Sequence, residues 1–422
     1  VYQAPKGTQD VLPDDIAPWR YVESACHRLA QQFGYGEIRT PIFEDTGLFL
    51  KGVGEATDIA EKEMYSFRDK GGANLTLRPE GTAAVVRAYL EHGLYNRPQP
   101  VKLYTLMSAF RHDQPQAGRL REFHQWDCEA IGEEDPLIDA ELVVLLWQLL
   151  DDLGLRGLSV QLNSIGDAAC RPQYVRALVS YFEAHERELC PDCQRRLRTN
   201  PLRLLDCKNP QCQPLIAQAP RSVDYLCGPC AEHFARLRHY LDLAALPVTV
   251  NPRLVRGLDY YTRTVFEVWP PTVGGQSTLG GGGRYDGLAE LLGGRPTPGV
   301  GFAMGIERVI LNLKAQEVPV PPTPPLAVYA AYLGVAGKDQ SWRLVQRLRQ
   351  AGTSAVVATG DRSLKAQLRQ ANALGAQWAL ISGDAEVEAG TVQLRNLARG
   401  EQETLPLDEA VARLTRVERV AV

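Results

Sequence analysis

Between Phe110 and Gly132 the chain reads FRHDQPQAGRLREFHQWDCEAIG, a run that concentrates guanidinium, amide and carboxylate groups able to grip a polar anion. Arg119, Arg121, Gln125 and Glu129 fall on odd positions, while Leu120, Trp126, Cys128 and Ala130 fall on even ones. A strand sends successive side chains to opposite faces. An extended segment from Arg119 to Ile131 therefore sets the four polar groups on one side. Arg presents a planar fork of donors suited to phosphate, and a face bearing two of them makes a poor core, since a buried charge needs a partner. Such a face is a good floor for an anionic ligand. It equally fits the solvated outer side of an antiparallel sheet.

Other groups invite chemistry elsewhere in the chain. Glu80 and Thr82 stand in RPEGT at the join of an extended stretch and an apolar helix expected over 83–92. Thr82 can cap that helix, or Glu80 and Thr82 can hold a cationic amino group. LVRGLDYYT at 254–262 sets Tyr260 and Tyr261 beside Arg256 and Asp259, aromatic walls with hydrogen-bonding tips. LGGGGRYD at 279–286 offers a loop stripped of side chains, suited to main-chain N–H groups approaching a ligand or to plain turns. Arg308 follows the glycine-rich PGVGFAMGIE where a helix begins, a place that favours anions.

Six of the nine cysteines lie between Cys190 and Cys230, in the pairs Cys190-x2-Cys193, Cys207-x4-Cys212 and Cys227-x2-Cys230. Thiolates of Cys190, Cys193, Cys227 and Cys230 can close a tetrahedral Zn²⁺ site with no position left for water, and so a structural one. Reduced, metal-free cysteines in a helical subdomain fit the same pattern.

These groups need a framework. At 422 residues the chain exceeds one core, so two or three domains are expected. Val101 to Ala109 is apolar and partly alternating, and with Arg119 to Ile131 it predicts an antiparallel hairpin whose polar loop spans Asp113 to Gly118. FRDKGGANLTL at 67–77 predicts a second hairpin turning at Gly71 and Gly72. Helices are expected over 14–33 and 135–153, the latter opened by Asp135-Pro136 and stopped near Gly154. The segment 163–246 has a helical pattern and reads as an insertion. EVPVPPTPP at 317–325 is a semi-rigid linker, and beyond it alternating strands and helices predict a compact α/β module. The net charge of −4 argues against a wholly basic nucleic-acid binder but leaves room for basic patches. No apolar run is long enough to span a bilayer. The opening VYQAPKGTQDVLP has no apolar core of a signal peptide, so a cytoplasmic protein with no membrane contact is expected.

Taken in order, TPIFE at 40–44, LRPEGT at 77–82, FRH at 110–112 with RLREFHQ at 119–125, RGLDYYT at 256–262, LGGGGRYDG at 279–287 and GIER at 305–308 form a set. The set resembles the histidyl-tRNA synthetases, a class II aminoacyl-tRNA synthetase family, over the whole chain. The resemblance implies an α+β fold: an antiparallel catalytic sheet with flanking helices, a helical insertion domain and a C-terminal α/β anticodon-binding domain. The divisions would be 1–162 and 247–317 catalytic, 163–246 insertion, 318–325 linker and 326–422 anticodon-binding. It further implies a homodimer with the stretch around Pro41 at the interface, and L-histidine, ATP with Mg²⁺ and tRNA(His) as partners. Residue by residue, Arg111 and Arg256 match catalytic arginines at the α-phosphate. Arg308, Arg119 and Asp113 match further ATP contacts. Glu80, Gly81 and Thr82 match groups around the amino group, Gln125 an amide near the carboxylate, and Glu129 and Tyr261, with Tyr260 beside them, the imidazole readers. The loop departs from the family pattern at Asp113, Gln114 and Ala117, where many relatives carry Glu, Arg and Lys.

Two rival readings follow from the same residues. A histidine-binding regulatory paralogue of a histidine-biosynthetic ATP phosphoribosyltransferase shares the catalytic fold, but usually lacks the C-terminal domain and several site arginines. The other rival is a zinc-bearing RNA-binding module whose synthetase-like part is inert; histidine-dependent ATP–pyrophosphate exchange separates it from an enzyme.

Overall fold

The computed structural model describes residues 2–54, 57, 59–271 and 278–418, with side chains through 415. Two units result, Val1–Pro321 and Pro322–Val422, divided within the proline-rich stretch.

In the first unit the strands are, in chain order, β1 (Gly36–Glu37), β2 (Phe43–Asp45), β3 (Tyr65–Arg68), β4 (Asn74–Leu77), β5 (Val101–Phe110), β6 (Glu122–Ile131), β7 (Ser159–Ser164), β8 (Val248–Val250), β9 (Thr262–Trp269), β10 (Gly280–Arg284) and β11 (Gly299–Gly305). The main sheet has the order β1-β5-β6-β11-β10-β9-β7-β8. Its central strands run antiparallel, and β1 and β8 join parallel at the two edges. β2, β4 and β3 form a separate small sheet, whose β3–β4 hairpin turns at Gly71-Gly72 as expected.

The alternation read from β6 explains which face is packed. Trp126, Cys128 and Ala130 join Phe266 and Val268 of β9 and Val300, Phe302 and Met304 of β11 in one apolar cluster. Against it lies the helix Pro136–Asp152, which contributes Leu142, Leu145, Leu146, Leu149 and Leu150, all fully buried. That helix starts where Asp135 accepts a hydrogen bond from the Leu137 N–H at 2.8 Å, with Pro136 in its first turn. It ends before Gly154, whose φ of +92° suits glycine alone. The helices Ile16–Gln32 and Ile306–Ala315 complete this layer. The opposite face of the sheet is left for the site.

One expectation is corrected at the sheet's centre. The glycine run is not a loop but β10, buried between β9 and β11. A Cβ at Gly281 would sit 2.5 Å from the Phe266 carbonyl oxygen, so the strands pack closer than side chains permit. Four residues without side chains cannot alternate, which hid the strand. β10 ends in Arg284, fully buried and ion-paired with Asp139 of the long helix; its Nη1 also donates to the Glu133 carbonyl at 2.9 Å.

Between β7 and β8 the chain forms the helices Arg171–Glu183, Pro191–Thr199, Gln213–Gln218 and Gly228–Leu243. Among the described residues no helix is long and apolar enough to cross a membrane.

The second unit is a five-stranded sheet in the order Ala355–Val357, Val328–Tyr332, Trp378–Ser382, Thr391–Asn396, Gln402–Pro406. The first three strands are parallel and the last two antiparallel. The final strand and the helix Leu407–Glu418 extend beyond the elements expected from sequence. Helices pack on both faces, over Leu344, Val345, Leu348, Leu380 and Leu394 on one side and Tyr329, Ala331, Ala371 and Ile381 on the other.

Candidate active site

A cavity of about 520 Å³ opens on the free face of the main sheet. Its walls collect Glu80, Gly81, Thr82, Arg111, Asp113, Arg119, Gln125, Arg256, Tyr260, Tyr261 and Arg308, residues from stretches far apart in sequence. Glu129 stands just behind the wall, 1% exposed.

At one end the groups are cationic. Arg111 leaves β5 and is held by its Nε, which donates to the Pro79 carbonyl at 2.8 Å, with the guanidinium 5.3 Å above the Phe123 ring. Burial pulls its pKa down, opposed by Glu63 and Glu80. Arg308 donates through Nε to the Gly118 carbonyl at 3.1 Å and through Nη1 to the Thr278 carbonyl at 2.9 Å. Its pKa is lowered by burial and then by Arg119 and Arg111, so like charges converge on one place. Such a cluster is relieved by an anion. The start of the helix carrying Arg308 is fixed to β6, because the Glu307 carboxylate accepts from the His124 N–H at 2.9 Å and contacts its ring Nδ1 at 2.8 Å.

Arg256 approaches from the other side. It pairs with Glu267, its Nη2 donates to the Gly281 carbonyl at 3.3 Å, and its guanidinium lies 5.9 Å from the Tyr261 ring centre. Burial disfavours its charge, but Glu267 and Tyr261 outweigh that and hold the pKa above the ordinary arginine value. Glu267 is itself oriented by the Trp269 indole and the Thr278 hydroxyl, each donating at 2.7 Å.

The other end is acidic and aromatic. Glu80 accepts from the Thr82 and Ala83 N–H groups at 2.8 and 2.9 Å, so it is Glu80, not Thr82, that caps the helix Thr82–Glu91. Thr82 instead donates its hydroxyl to Glu129 at 2.6 Å, and Tyr285 donates to the other oxygen of Glu129. Burial pushes the Glu129 pKa up to about 8 against the pull of these two bonds, with Glu80 adding to the rise. Asp127 lies one turn of the alternation away. Burial, then Glu129 and Glu80, raise its carboxyl well above the usual range. Neither Asp127 oxygen nor Gln125 Oε1 has a protein partner, although all three are buried. Unpaired polar atoms aimed into a cavity call for a ligand that donates to them. Gly301 makes room for Glu129, since a Cβ there would collide with its Oε2.

The structure corrects the expected floor at one position. β6 begins at Glu122, so the strict alternation does not reach Arg119 and Arg121. Arg119 reaches the cavity from the loop and pairs with Asp113 at 2.7 Å. Arg121 instead packs its stem beside Gly7 and donates through Nε to the Asp113 carbonyl at 3.2 Å. Asp113 is thus occupied within the loop, its Oδ1 also accepting from the Gln114 N–H at 2.7 Å. Sequence reasoning missed Asp127, which the alternation through Gln125 and Glu129 already places on this face. It also missed Tyr285 and the insertion residues Arg196, Arg203 and Asp206 at the rim, for which no local pattern exists.

The four-thiolate set expected from spacing is not assembled either. Cys190 and Cys193 gather with Cys207 and Cys212, whereas Cys227 and Cys230 gather with Cys170 and Asp167. The two CxxC pairs open different helices, and the second closes on Asp167 and Cys170, more distant in sequence than Cys207 and Cys212.

A family model described as histidyl-tRNA synthetase matches residues 7–189 and 219–309, and an anticodon binding domain model matches 328–416. The histidine–tRNA ligase of Dehalococcoides mccartyi is 53% identical over 416 residues, covering 99% of this chain and all of the relative. The crystal structure of apo S. aureus histidyl-tRNA synthetase superposes with a TM-score of 0.83 at 40% identity, over 98% of this chain and 100% of that one. An ATP phosphoribosyltransferase regulatory subunit/histidyl-tRNA synthetase from Bacillus halodurans shares the fold at 21% identity, with a TM-score of 0.64 over 90% of this chain and 98% of that one.

Proposed function

Because the chain belongs to the histidyl-tRNA synthetase family, we propose that the side chains around the cavity divide the two steps of ligation between its two ends. The activity is that of a histidine–tRNA ligase, with L-histidine, ATP and tRNA as substrates. In the first step a carboxylate oxygen of histidine attacks the α-phosphorus of MgATP; the new O–P bond forms as the bond to pyrophosphate breaks. No protein nucleophile is needed, only alignment and positive charge where negative charge grows. Arg111 and Arg256 flank the α-phosphate, while Arg308 and Arg119 take the distal phosphates.

At the acidic end the α-ammonium of histidine lies among Glu80, Thr82 and Asp127; the two Asp127 oxygens, buried without a protein partner, ask for a donor. Gln125 is placed near the carboxylate. Glu129 accepts one imidazole N–H and the Tyr261 phenol meets the other nitrogen, with Tyr260 as the wall. In the second step the terminal ribose hydroxyl of tRNA(His) attacks the carbonyl carbon, AMP leaves, and a phosphate oxygen of the adenylate takes the hydroxyl proton. The C-terminal unit would read the anticodon. We place this chemistry in the cytoplasm. We further propose a homodimer through the stretch around Pro41, supported by Ile42, Phe43 and Phe67, which are apolar and about half exposed.

The observation that carries this reading is the convergence of Arg111, Arg256 and Arg308 on one cavity whose far end holds buried acceptors without partners. The regulatory reading is not favoured, since the relatives named above at 53% and 40% identity are a histidine–tRNA ligase and a histidyl-tRNA synthetase matched over almost the full chain. Histidine-dependent ATP–pyrophosphate exchange tests the proposal. Arg256→Ala should abolish exchange with the fold intact, because Glu267 keeps its Trp269 and Thr278 donors. Wild-type exchange in that variant would contradict the role given to Arg256.

A further inference from the structure

Seven of the nine cysteines fall into two side-chain clusters that the ligase chemistry leaves unused. In one, the Sγ atoms of Cys190, Cys193, Cys207 and Cys212 all lie within 4.8 Å of one another, and all four residues are buried. In the other, Cys170, Cys227, Cys230 and a carboxylate oxygen of Asp167 are grouped as closely. We propose that each cluster is a structural Zn²⁺ centre, the first a closed tetrathiolate and the second a mixed Asp-Cys₃ site.

The first argument is a length. A tetrahedron with metal–sulfur bonds of about 2.3 Å has sulfur–sulfur edges of about 3.8 Å. The Sγ atoms of Cys190 and Cys207 are 3.8 Å apart. That is far beyond a disulfide bond of about 2.05 Å. The second argument is the backbone around the sulfurs. Cys190 and Cys227 each stand immediately before a helix with proline in its first turn, and Cys193 and Cys230 lie in those first turns. The positive end of a helix favours thiolate over thiol. The Cys190 N–H donates to Cys212 Sγ at 3.3 Å and the Asn209 N–H to Cys207 Sγ at 3.4 Å, the kind of supporting bond a ligating thiolate attracts. Cys170 precedes the helix Arg171–Glu183, with its Sγ 3.6 Å from Asp167 Oδ1.

The third argument is need. The helix Pro191–Thr199 buries only Cys193 and Leu197, and Gln213–Gln218 only Ile216. Segments so short and so polar do not hold together on apolar burial alone. A closed metal site supplies the missing stability, since its binding energy is folding energy.

Both centres lie next to the cavity in sequence. Arg196 follows Cys193 by one helical turn and Asp206 adjoins Cys207, and both line the rim. Arg171 adjoins Cys170 and donates to the Tyr261 carbonyl at 2.6 Å, fixing the backbone of an imidazole reader. The metals would thus hold the rim and one wall of the histidine end in place; this last step rests on the ligase reading, whereas the metal content does not.

Elemental analysis and native mass spectrometry of the full chain, purified under reducing conditions, test the proposal without running the reaction. Two zinc ions per chain are expected, with Cys207→Ser losing one and Cys227→Ser losing the other. Should a variant not fold, titrating the wild-type chain with a mercurial must release two equivalents to a chromogenic chelator, and cobalt-substituted wild type must show thiolate-to-cobalt charge-transfer absorption. A folded chain free of zinc overturns both centres. A single ion that survives Cys227→Ser but not Cys207→Ser upholds the tetrathiolate and overturns the mixed site.

Discussion

Replacing Glu129 with Gln removes a proton whose position the structure has made costly to give up. The carboxyl is 1% exposed, accepts from Thr82 and Tyr285, and is held at about 8 by burial against an ordinary value of 4.5. The folded chain therefore keeps a proton that the unfolded chain releases above pH 4.5. The native state binds more protons throughout that window, so stability is full below the unfolded value and falls as pH rises, by up to about 1.4 kcal/mol per pH unit, levelling off above about 8. The whole contribution is on the order of 5 kcal/mol. Gln keeps the shape and can still accept from Thr82 while donating to Tyr285, but it does not titrate. Urea unfolding of wild type and Glu129→Gln, followed from about pH 5 to 9, is the assay. Asp127 and Glu80, whose carboxyls burial also raises, tilt both curves; the difference between them isolates Glu129. We expect wild type to lose ground to the variant steadily up to about pH 8 and then hold level. Curves that stay parallel across the range would mean that Glu129 is ionised in the folded protein, and the argument from burial would fail.

Three further outcomes follow from the same geometry. Gly301→Ala places a methyl against Glu129 Oε2, and should cost about 1–3 kcal/mol of stability while raising the KM for histidine in pyrophosphate exchange; an unchanged KM would show that Glu129 does not read the substrate. Arg284→Met leaves Asp139 buried without its partner, and should destabilise the first unit by about 3–5 kcal/mol in urea. A loss under about 1 kcal/mol would mean the pair contributes little. Arg308→Ala removes a cation from the arginine-lined end of the cavity, and should raise the KM for ATP by about tenfold or more without altering histidine affinity measured by calorimetry. Equal losses for both substrates would point to a collapsed site instead.

The hairpin β5–β6 could be read from sequence because period-two patterning leaves a trace wherever one face is buried. The trace stops with the strand, which is why Arg121 turned out to belong to the loop's own packing. β10 left no trace, since its glycines carry nothing to alternate. Asp127 was readable from the same alternation that marked Gln125 and Glu129, whereas Tyr285 and the rim residues Arg196 and Arg203 owe their places to chain crossings that spacing does not encode. The cysteines teach a related lesson. CxxC spacing marks which residues pair locally, but the partner pair is chosen by where the helices they open come to rest. Assignments within the cavity came from family likeness, because side-chain type alone could not say which arginine meets which phosphate.

Arg308 spends two of its donors on main-chain oxygens, at Gly118 on the tip of the β5–β6 connection and at Thr278 just ahead of β10. An incoming polyphosphate that recruits this guanidinium competes with those oxygens. Nucleotide occupancy and the posture of the connection are then two readings of a single equilibrium. Whatever loosens the tip alters the hold on nucleotide by the same factor with which nucleotide alters the tip.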